Sequence, residues 1–402
     1  MRCFVALLIC VGISVCQSPK PIFDGRSLTG WRSPDKSGQP YFVEDGALVC
    51  PPGGARLFTE ETYADFALQL EFKMQSGGNN GIAIRTPWGG HASTEGIEIQ
   101  LLDDDAHKNA GPTEICGAVY GIVGAKRGAS KPAGQWNRIE IRAQGRRIAV
   151  VLNDKPIVDA NLNEVANRRL LAERPGFLQE RGHIGFLGHG SRTEFRNIHI
   201  AQLPPSPPDG FVSLMNERHW QGWIGRLPDI EAMSPADRAK AQTEADAVMR
   251  ENWKFVDGEL RYTGKGRNLV SAKEYRDFEL VIDWKISTGG DSGIYLRGSP
   301  QIQIWDNPVG SGGPFNNAKN PNNPSKKADN PPGEWNRFRI LLIDDRVTVF
   351  LNDQLIVKNV QFENYWDKEK PLPESGRIEL QHHGNPLTFR NIAIREIAPT
   401  KP

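Results

Sequence analysis

Residues 134–154, GQWNRIEIRAQGRRIAVVLND, decide the fold. The run RIAVVL is rich in β-branched residues and ends at an Asn-Asp pair, a combination typical of a strand followed by a tight turn. Residues 333–353, GEWNRFRILLIDDRVTVFLND, repeat the same pattern. We therefore expect a chain built from β-strands that contains this strand pattern twice.

The repeat extends over most of the chain. The matching segments, in constant order, are 66–74 with 278–286, 77–85 with 289–297, 98–103 with 301–306, 134–154 with 333–353 and 193–200 with 387–394. Apolar residues alternate along FALQLEFKM and FELVIDWKI, as expected for strands with one buried face. Self-similarity in constant order indicates two homologous domains.

The repeat also sets the domain boundaries. We predict a signal peptide at 1–18, a first sandwich at 19–202, a linker at 203–208 (LPPSPP) and a second sandwich at 209–398. Each domain has enough short antiparallel strands for two sheets packed face to face. The predicted fold class is all-β, with an inserted helix at 234–252 that begins Ser-Pro-Ala-Asp and a second short helix within 161–173.

Composition excludes several classes of function. The formal net charge is +1 and no run of Lys or Arg forms a basic patch, so we expect no nucleic-acid partner. The sequence has no Gly-rich phosphate loop before a helix, no His-Glu-x-x-His and no Gly-x-Ser-x-Gly elbow.

The N-terminus has the pattern of an export signal. Arg2 precedes an apolar run at residues 3–15 that is shorter than a membrane span, and a polar segment follows. We predict export to the periplasm or the exterior. Acylation of Cys16 is an alternative, although Val15 stands where a lipoprotein signal has a small residue.

Two cysteines lie beyond that signal, Cys50 and Cys116. In an oxidising compartment they form either one disulfide or two buried free thiols. Their spacing is not typical of a zinc site.

Long polar side chains occupy one face of the central strands in both repeats. Side chains alternate across a strand, so Ile294 and Leu296 face the core while their neighbours face the other way. The predicted polar face in the second repeat comprises Tyr295, Arg297, Gln301, Gln303, Trp305, Glu379, Gln381 and His383. In the first repeat it comprises Arg85, Glu98, Gln100, His183 and His189, with Trp88 as an exposed aromatic residue.

Such a face has two interpretations. Antiparallel sheets often have one solvated face, where polar residues have no further role. The residue types favour the second interpretation, because Arg, Gln, Glu, His, Tyr and Trp are multivalent hydrogen-bonding or stacking groups that suit a sugar ring.

Several motifs together resemble the 3-keto-disaccharide hydrolase family. They are the entry FDGRSLTGW, the central SGIYLRG with QIQIWD or EIQLLD, the segments KPAGQWN and PPGEWN, and the closing FRNI. The resemblance covers both repeats. It implies concanavalin-like or laminin-G-like jelly-roll sandwiches, export in bacteria, and action on glycosides oxidised at C3.

The implied chemistry needs a base, an acid and a group that stabilises an enolate. In the first repeat we predict Glu98 as the base, His189 as the acid or base, and Arg85 as the cation. Gln100 and Trp88 are predicted substrate-binding residues. Asp103 and His107 in the loop LLDDDAHKN are candidate ligands of a divalent metal, or parts of a solvated acidic turn.

The second repeat departs from this pattern at one position. Gln301 stands where the first repeat has Glu98, which removes a base but keeps hydrogen-bonding capacity. The polar residues of this repeat are therefore predicted to bind substrate, and Glu379 is a possible replacement carboxylate.

Three functions remain open from the sequence. The first is an exported enzyme acting on 3-keto glycosides, and the second is a lectin-like carbohydrate-binding protein of the same fold. The third is a secreted scaffold. Glycosidase chemistry with two carboxylates is less favoured, because only one carboxylate is placed with certainty on the polar face of the first repeat.

Overall fold

A computed structural model of the chain describes residues 18–165, 167–204, 210–215, 220, 222–227 and 234–398. It divides into two compact units, Met1–Ala166 with Gly176–Asp209 (unit 1) and Asn167–Pro175 with Gly210–Pro402 (unit 2). The predicted signal peptide and Cys16, and most of the predicted linker, lie outside the described residues. Within the described part, no helix is both long and apolar enough to cross a membrane.

Unit 1 is a sandwich of two antiparallel sheets. Its strands are β1 (Lys20–Pro21), β2 (Trp31–Arg32), β3 (Phe42–Glu44), β4 (Ala47–Cys50), β5 (Leu57–Thr59), β6 (Phe66–Met74), β7 (Asn79–Thr86), β8 (Ile97–Leu102), β9 (Asn137–Gln144), β10 (Arg147–Leu152), β11 (Lys155–Asn161), β12 (His183–Phe186) and β13 (Thr193–Gln202). Sheet 1 has the order β11-β10-β9-β6-β13-β4-β3, with β1 also paired to β13, and sheet 2 has the order β2-β5-β12-β7-β8.

Unit 2 repeats this arrangement. Its strands are β14 (Val212–Ser213), β15 (Trp223–Gly225), β16 (Trp253–Val256), β17 (Glu259–Tyr262), β18 (Leu269–Tyr275), β19 (Phe278–Ile286), β20 (Asp291–Tyr295), β21 (Gln301–Trp305), β22 (Pro314–Phe315), β23 (Asn336–Ile343), β24 (Arg346–Leu351), β25 (Gln354–Gln361), β26 (Gly376–Leu380) and β27 (Leu387–Glu396). Sheet 3 has the order β16-β17-β27-β19-β23-β24-β25, with β14 paired to β27, and sheet 4 has the order β15-β18-β26-β20-β21-β22.

Helices are few, and the longest begins where the sequence predicts. The helices are α1 (Ala92–Glu95), α2 (Leu162–Val165), α3 (Arg168–Glu173), a 3₁₀ helix (Pro175–Leu178) and α4 (Pro235–Asn252). The Ser234 side chain caps α4 by accepting a hydrogen bond from the Asp237 backbone N–H. The second predicted helix, within 161–173, is instead the two short helices α2 and α3.

The opening segment forms a hairpin in each unit. In unit 1 it gives β9 and β10, and in unit 2 it gives β23 and β24. Asn153 and Asn352 lie just beyond β10 and β24 at positive φ, and their side-chain amides contact Asn137 and Asn336 at 2.8 Å. This bond between the two ends of the hairpin explains why both repeats keep the Asn-Asp turn.

The core of each unit lies between its sheets. In unit 1, Phe186 of sheet 2 stacks on Phe195 of sheet 1 with 4.0 Å between ring centroids. In unit 2, Ile294, Ile302 and Leu380 of sheet 4 join the buried apolar cluster of the sandwich. The alternate residues of sheets 2 and 4 therefore face away from the core. These architectures confirm the predicted fold class, two tandem jelly-roll β-sandwiches.

Candidate active site

A row of residues crosses the outer face of sheet 2 in unit 1. Gly185 pairs with Ala83, Ala83 pairs with Glu98, and the backbone N–H of Tyr120 donates to the Glu98 carbonyl oxygen at 2.9 Å. We call Gly185, Ala83, Glu98 and Tyr120 the central row of unit 1. It has one carboxylate, at Glu98.

The Glu98 side chain lies in a tight and largely buried place. The residue is 7% exposed, and a Cβ atom added to Gly81 would approach its Oε1 atom to 2.8 Å. Glycine at position 81 therefore makes room for the carboxylate. Gln100, paired with Gly81, is also buried, and its Oε1 atom has no hydrogen-bond partner among the described residues.

An apolar cluster lies between Glu98 and the rings of Trp88 and His183. The cluster consists of the buried residues Phe58, Ala83, Ala92 and Leu187. On its far side, Trp88 is 5.3 Å from the ring of His183. The predicted substrate-binding residue Trp88 is 39% exposed, so its indole forms a rim above the cluster.

His183 is a residue of the polar face to which the sequence analysis gives no catalytic role. Its Nδ1 atom lies 2.7 Å from the Thr59 carbonyl oxygen. A carbonyl only accepts hydrogen bonds, so Nδ1 carries a proton and Nε2 is the ring nitrogen left to exchange one.

His189 lies three residues beyond the end of β12, and its carbonyl oxygen accepts a hydrogen bond from the Gly53 backbone N–H at 2.7 Å. His183 lies within β12, two residues before Gly185 and two strands from β8, about 12 Å from Glu98 between Cα atoms at ordinary strand spacings. The His189 ring is exposed on one side, and partial burial lowers its pKa.

The prediction that Arg85 shares the polar face with Glu98 is wrong. Arg85 has a φ of 49°, so the regular alternation of the strand ends there and its side chain turns inward. The guanidinium is 1% exposed, donates to the carbonyl oxygens of Ala64 and Gly145, and pairs with Asp65 at 2.9 Å. Because these partners border strands of sheet 1, Arg85 ties the two sheets together.

Arg297 repeats this arrangement in unit 2, so it too lies away from the outer face on which the sequence analysis placed it. Its φ is 56° and it is 4% exposed. The guanidinium donates to the carbonyl oxygens of Arg276 and Asp344 and pairs with Asp277 at 2.9 Å. Asp277 precedes β19, so this arginine also reaches the opposite sheet.

Asp103 and His107 form hydrogen bonds within and beside their own loop. The Asp103 carboxylate accepts a hydrogen bond from the Gly77 backbone N–H at 2.8 Å, and the equivalent Asp306 does the same for Gly289. His107 Nδ1 lies 3.0 Å from the Asp103 carbonyl oxygen. Across the described residues, no group of three or more His, Cys, Asp or Glu side chains is arranged to hold a metal ion.

The equivalent row in unit 2 carries larger side chains. Glu379 pairs with Tyr295, Tyr295 pairs with Gln301, and Gln301 pairs with Phe315. We call these four residues the central row of unit 2. Tyr295 stands where unit 1 has Ala83, and Glu379 where unit 1 has Gly185.

Amide groups form a connected network beside this row. Gln301 Nε2 donates to Gln303 Oε1 at 2.8 Å and to Gln381 Oε1 at 3.1 Å. Gln303 Nε2 donates to Asp291 at 2.6 Å. The structure thus brings four predicted binding residues together: Tyr295, Gln301, Gln303 and Gln381. His383 lies at the edge, with Nδ1 3.7 Å from Asp291.

Glu379 is a buried carboxylate with close partners. It is 6% exposed, its Oε1 atom lies 2.7 Å from Arg226 Nε, and Asn268 donates to it. Burial raises its pKa, although Arg226 and Asn268 act in the opposite direction. Burial likewise raises the pKa of Tyr295.

Two aromatic residues that sequence reasoning missed complete the surface of unit 2. Trp366 stacks on Tyr295 with 5.8 Å between centroids, and Tyr365 lies 4.4 Å from Trp366. Both come from the loop between β25 and β26, where strand alternation gives no signal. Their only signal in the sequence is the adjacent pair Tyr-Trp in a polar segment that has no aromatic counterpart in the first repeat.

Cys50 and Cys116 are both buried free thiols. The Cys50 thiol donates to the Leu187 carbonyl oxygen at 3.6 Å, and burial raises the pKa of Cys116 to about 12. Of the two alternatives left by the sequence, the structure has the free thiols.

Comparison with known proteins identifies the family. Residues 18–201 and 210–395 both match the family described as the 3-keto-alpha-glucoside-1,2-lyase-like domain. A 3-keto-disaccharide hydrolase from Bacteroides thetaiotaomicron is 26% identical over 226 residues, which cover 45% of this chain and 77% of that protein.

Solved structures include similar chains. A putative glycosyl hydrolase from Parabacteroides distasonis is 29% identical, with a TM-score of 0.41, over 46% of this chain and 100% of that one. The carbohydrate-binding module CBM66 from Bacillus subtilis is 12% identical, with a TM-score of 0.30, over 42% of this chain and 93% of that one.

The two sandwiches and their family place the chain in the class of carbohydrate-active, hydrolase-like β-sandwich proteins. More narrowly, the chain belongs to the family of 3-keto-alpha-glucoside-1,2-lyase-like domains, of which it carries two copies.

Proposed function

We propose that the chain is an exported enzyme that cleaves glycosides oxidised at C3, and that its chemistry takes place in unit 1 with Glu98 as the base. One observation carries the proposal. Glu98 is the carboxylate of the central row, buried above Gly81 and next to Gln100 and Tyr120. The family match and the name of the Bacteroides relative support the choice of substrate.

The reaction follows from the acidity of a C–H bond beside a ketone. Glu98 removes the proton from C2, the electron pair moves toward the C3 carbonyl, and the enolate then expels the substituent at C1. The leaving oxygen takes a proton from an acid, and water adds across the new C1–C2 double bond. A positioned base and acid each contribute roughly 10²–10⁴-fold to such a step.

His183 is the better acid than His189 in this scheme. It borders the same apolar cluster as Glu98. Because Nδ1 keeps its proton for the Thr59 carbonyl oxygen, His183 acts as the acid in its imidazolium form, which donates from Nε2. We expect His183→Gln to lower turnover by about 10²-fold and His189→Gln to lower it less than tenfold. Equal losses in the two variants would contradict this assignment.

Export is part of the proposal. It is supported by Arg2 and the apolar run at residues 3–15. Secretion of a reporter protein fused behind residues 1–18 tests it, and retention of the reporter in the cytoplasm would contradict it.

The substrate is tested by offering one disaccharide in two oxidation states. Purified mature protein is incubated with a 3-keto-disaccharide and with its unoxidised parent, with and without a chelator, and free monosaccharide is measured. We expect release from the keto form alone, with or without chelator. Release from both forms would favour ordinary glycosidase chemistry and overturn the elimination mechanism.

A carbohydrate-binding protein without catalysis is the second candidate function. The amide network and aromatic rings of unit 2 favour it, because they offer hydrogen bonds and stacking without an evident base. Saturable binding of both forms of the disaccharide without turnover would establish this alternative.

A further inference from the structure

Unit 2 presents a connected set of aromatic rings on the outer side of sheet 4. The rings of Trp305 and Phe315 are 6.2 Å apart, those of Phe315 and Tyr365 6.2 Å, and those of Tyr365 and Trp366 4.4 Å. We call these four residues the aromatic ladder. Trp366 is 63% exposed, which is unusual for so large an apolar side chain.

The ladder is held rigidly although part of it lies in a loop. The Tyr365 backbone N–H donates to Ser299 Oγ at 2.6 Å, and Trp366 Nε1 donates to the Gly298 carbonyl oxygen at 3.1 Å. Glu363 accepts hydrogen bonds from the backbone N–H groups of Ala318, Lys319 and Asn320. A surface fixed before binding loses little entropy when a ligand arrives.

The polar groups beside the ladder indicate an uncharged ligand. Gln301 and Gln303 are 2% and 4% exposed and hold the half-buried Gln381 in place, so the Gln381 amide is the group of this network closest to solvent, and it can both donate and accept hydrogen bonds. The nearby carboxylate of Glu379 is paired with Arg226 at 2.7 Å. Asp291 is the carboxylate joined to this network, where it accepts from Gln303 and lies 3.7 Å from His383 Nδ1. The polar group nearest the rings is therefore an amide, which suits the hydroxyl groups of a sugar.

The shape indicates several sugar rings rather than one. A pyranose ring has C–H groups on its faces and hydroxyl groups at its edge, so its face suits an aromatic ring and its edge suits an amide. The four rings follow one another at 4.4–6.2 Å between neighbouring centroids and at interplanar angles of 85°, 27° and 69°, so they form one continuous contact surface longer than a single sugar ring rather than a row of parallel faces. Residues 159–174 of the first repeat contain no aromatic residue, so the loop part of the ladder belongs to unit 2 alone.

We propose that unit 2 binds an uncharged glucan chain along the aromatic ladder without cleaving it. The carbohydrate class of the ligand rests on the proposed function, whereas the location rests on the rings and amides of unit 2. The ladder thus supplies a binding site for unoxidised glycan that is separate from the reaction at Glu98.

Calorimetric titration of the full mature chain with cellohexaose and with maltohexaose tests this proposal. We expect at least one hexaose to bind with an affinity between micromolar and millimolar and to be recovered intact. Trp366→Ala and Tyr365→Ala should each weaken that binding by about tenfold, because each removes a stacking surface. The matched control is Trp335→Phe, since Trp335 lies between Lys285 and Arg390 of sheet 3.

The outcomes separate this site from the proposed reaction. Trp366→Ala should keep the turnover of a 3-keto-disaccharide while losing hexaose affinity. Absence of binding to both hexaoses at millimolar concentration would overturn the proposal that the ladder binds glucan. Unchanged affinity in Trp366→Ala and Tyr365→Ala would also overturn it. If the protein binds hexaose through Trp366 but turns over no keto sugar, the proposed reaction is wrong and the proposed glucan-binding site is supported.

Discussion

The central rows of the two units use the same backbone positions for different chemistry. Unit 1 has Gly185, Ala83 and Glu98, and unit 2 has Glu379, Tyr295 and Gln301 at the paired positions. The carboxylate thus lies on different strands of the two rows, third in the row of unit 1 and first in the row of unit 2. In unit 2 it is paired with Arg226, and the position of Glu98 is taken by an amide that donates to two neighbouring glutamines.

Under the proposed function, a carboxylate on this face is not in itself a catalytic base. The strand that carries it and the groups that surround it differ between the units. Small residues in unit 1 make room beside Glu98, whereas Tyr295 fills the middle of the row in unit 2. The proposal therefore assigns proton transfer to unit 1 and binding to unit 2.

The largest expected effect is on the base of unit 1. We expect Glu98→Gln to lower turnover of a 3-keto-disaccharide by roughly 10²–10⁴-fold, because an amide cannot take the C2 proton. Initial rates of sugar release measure the loss. Glu140→Gln is the matched control, since Glu140 lies on sheet 1 and contacts Gln69, and it should keep the wild-type rate. A Glu98→Gln rate within threefold of wild type would refute the assignment.

The buried arginines should affect stability rather than chemistry. Arg297→Met removes one guanidinium from Asp277, which is 3% exposed and keeps Arg168 at 2.5 Å, so the cost should stay below the roughly 3–5 kcal/mol of a fully broken buried pair. Arg85→Met should cost a similar amount, because the side chain of its partner Asp65 is 11% exposed and keeps the hydrogen bond from the Gly145 backbone N–H. Urea unfolding measures both variants.

Turnover distinguishes the two roles of Arg85. If Arg85→Met keeps its stability but loses turnover, the catalytic role predicted from the sequence is right and its structural role is wrong. We expect the reverse, a folded fraction that decreases while the rate per folded molecule is maintained.

A carboxylate introduced at position 301 of unit 2 should lower the free energy of unfolding. In Gln301→Glu the new group faces Gln303 Oε1 and Gln381 Oε1, which now accept hydrogen bonds at 2.8 and 3.1 Å. We expect a loss of roughly 1–3 kcal/mol near pH 8. Burial raises the folded-state pKa of the new carboxyl, so the loss should disappear as pH falls below about 4, where both folded and unfolded states are protonated.

The same change tests whether the row of unit 2 can react. Glu98→Gln combined with Gln301→Glu should remain as inactive as Glu98→Gln alone. Recovery of activity in the double variant would show that the two rows are interchangeable, against the division of roles argued above.

The smallest expected effect concerns Glu363, which lies two residues before Tyr365 in the loop that carries part of the ladder. Burial acts to raise the pKa of Glu363, but the backbone N–H groups of Ala318, Lys319 and Asn320 prevail and lower it to about 2. We expect Glu363→Gln to lose about 1–2 kcal/mol of stability near pH 7. Because the native pKa is depressed, this difference should shrink as pH falls from about 4.5 toward 2. Thermal unfolding across that range measures it, and a difference independent of pH would exclude the carboxylate as its source.

Strand alternation predicted the face of residues that lie where the strand backbone stays extended. Internal repeats and β-branched runs gave the two sandwiches, and the same parity placed Glu98, Tyr295, Gln301 and Glu379 on the outer faces. It works there because neighbouring residues keep extended backbone angles.

The method failed where the backbone leaves that pattern. Arg85 and Arg297 stand at strand ends with φ of 49° and 56°, so one residue of left-handed backbone sends each side chain to the other side of the sheet. Trp366 lies in a loop, where side chains do not alternate between two faces as they do along a strand. The contacts of Asp103 depend on a distant turn at Gly77, which sequence spacing does not reveal.

The most direct test of the account is a reaction in D₂O. Wild-type protein and Glu98→Gln convert a 3-keto-disaccharide, and proton NMR measures hydrogen at C2 of the released keto sugar and of the remaining substrate. Elimination followed by water addition predicts deuterium at C2 in the wild-type product at early times, and little product from Glu98→Gln. Product that keeps its original C2 hydrogen would show direct cleavage at C1 and contradict Glu98 as the base that takes the C2 proton.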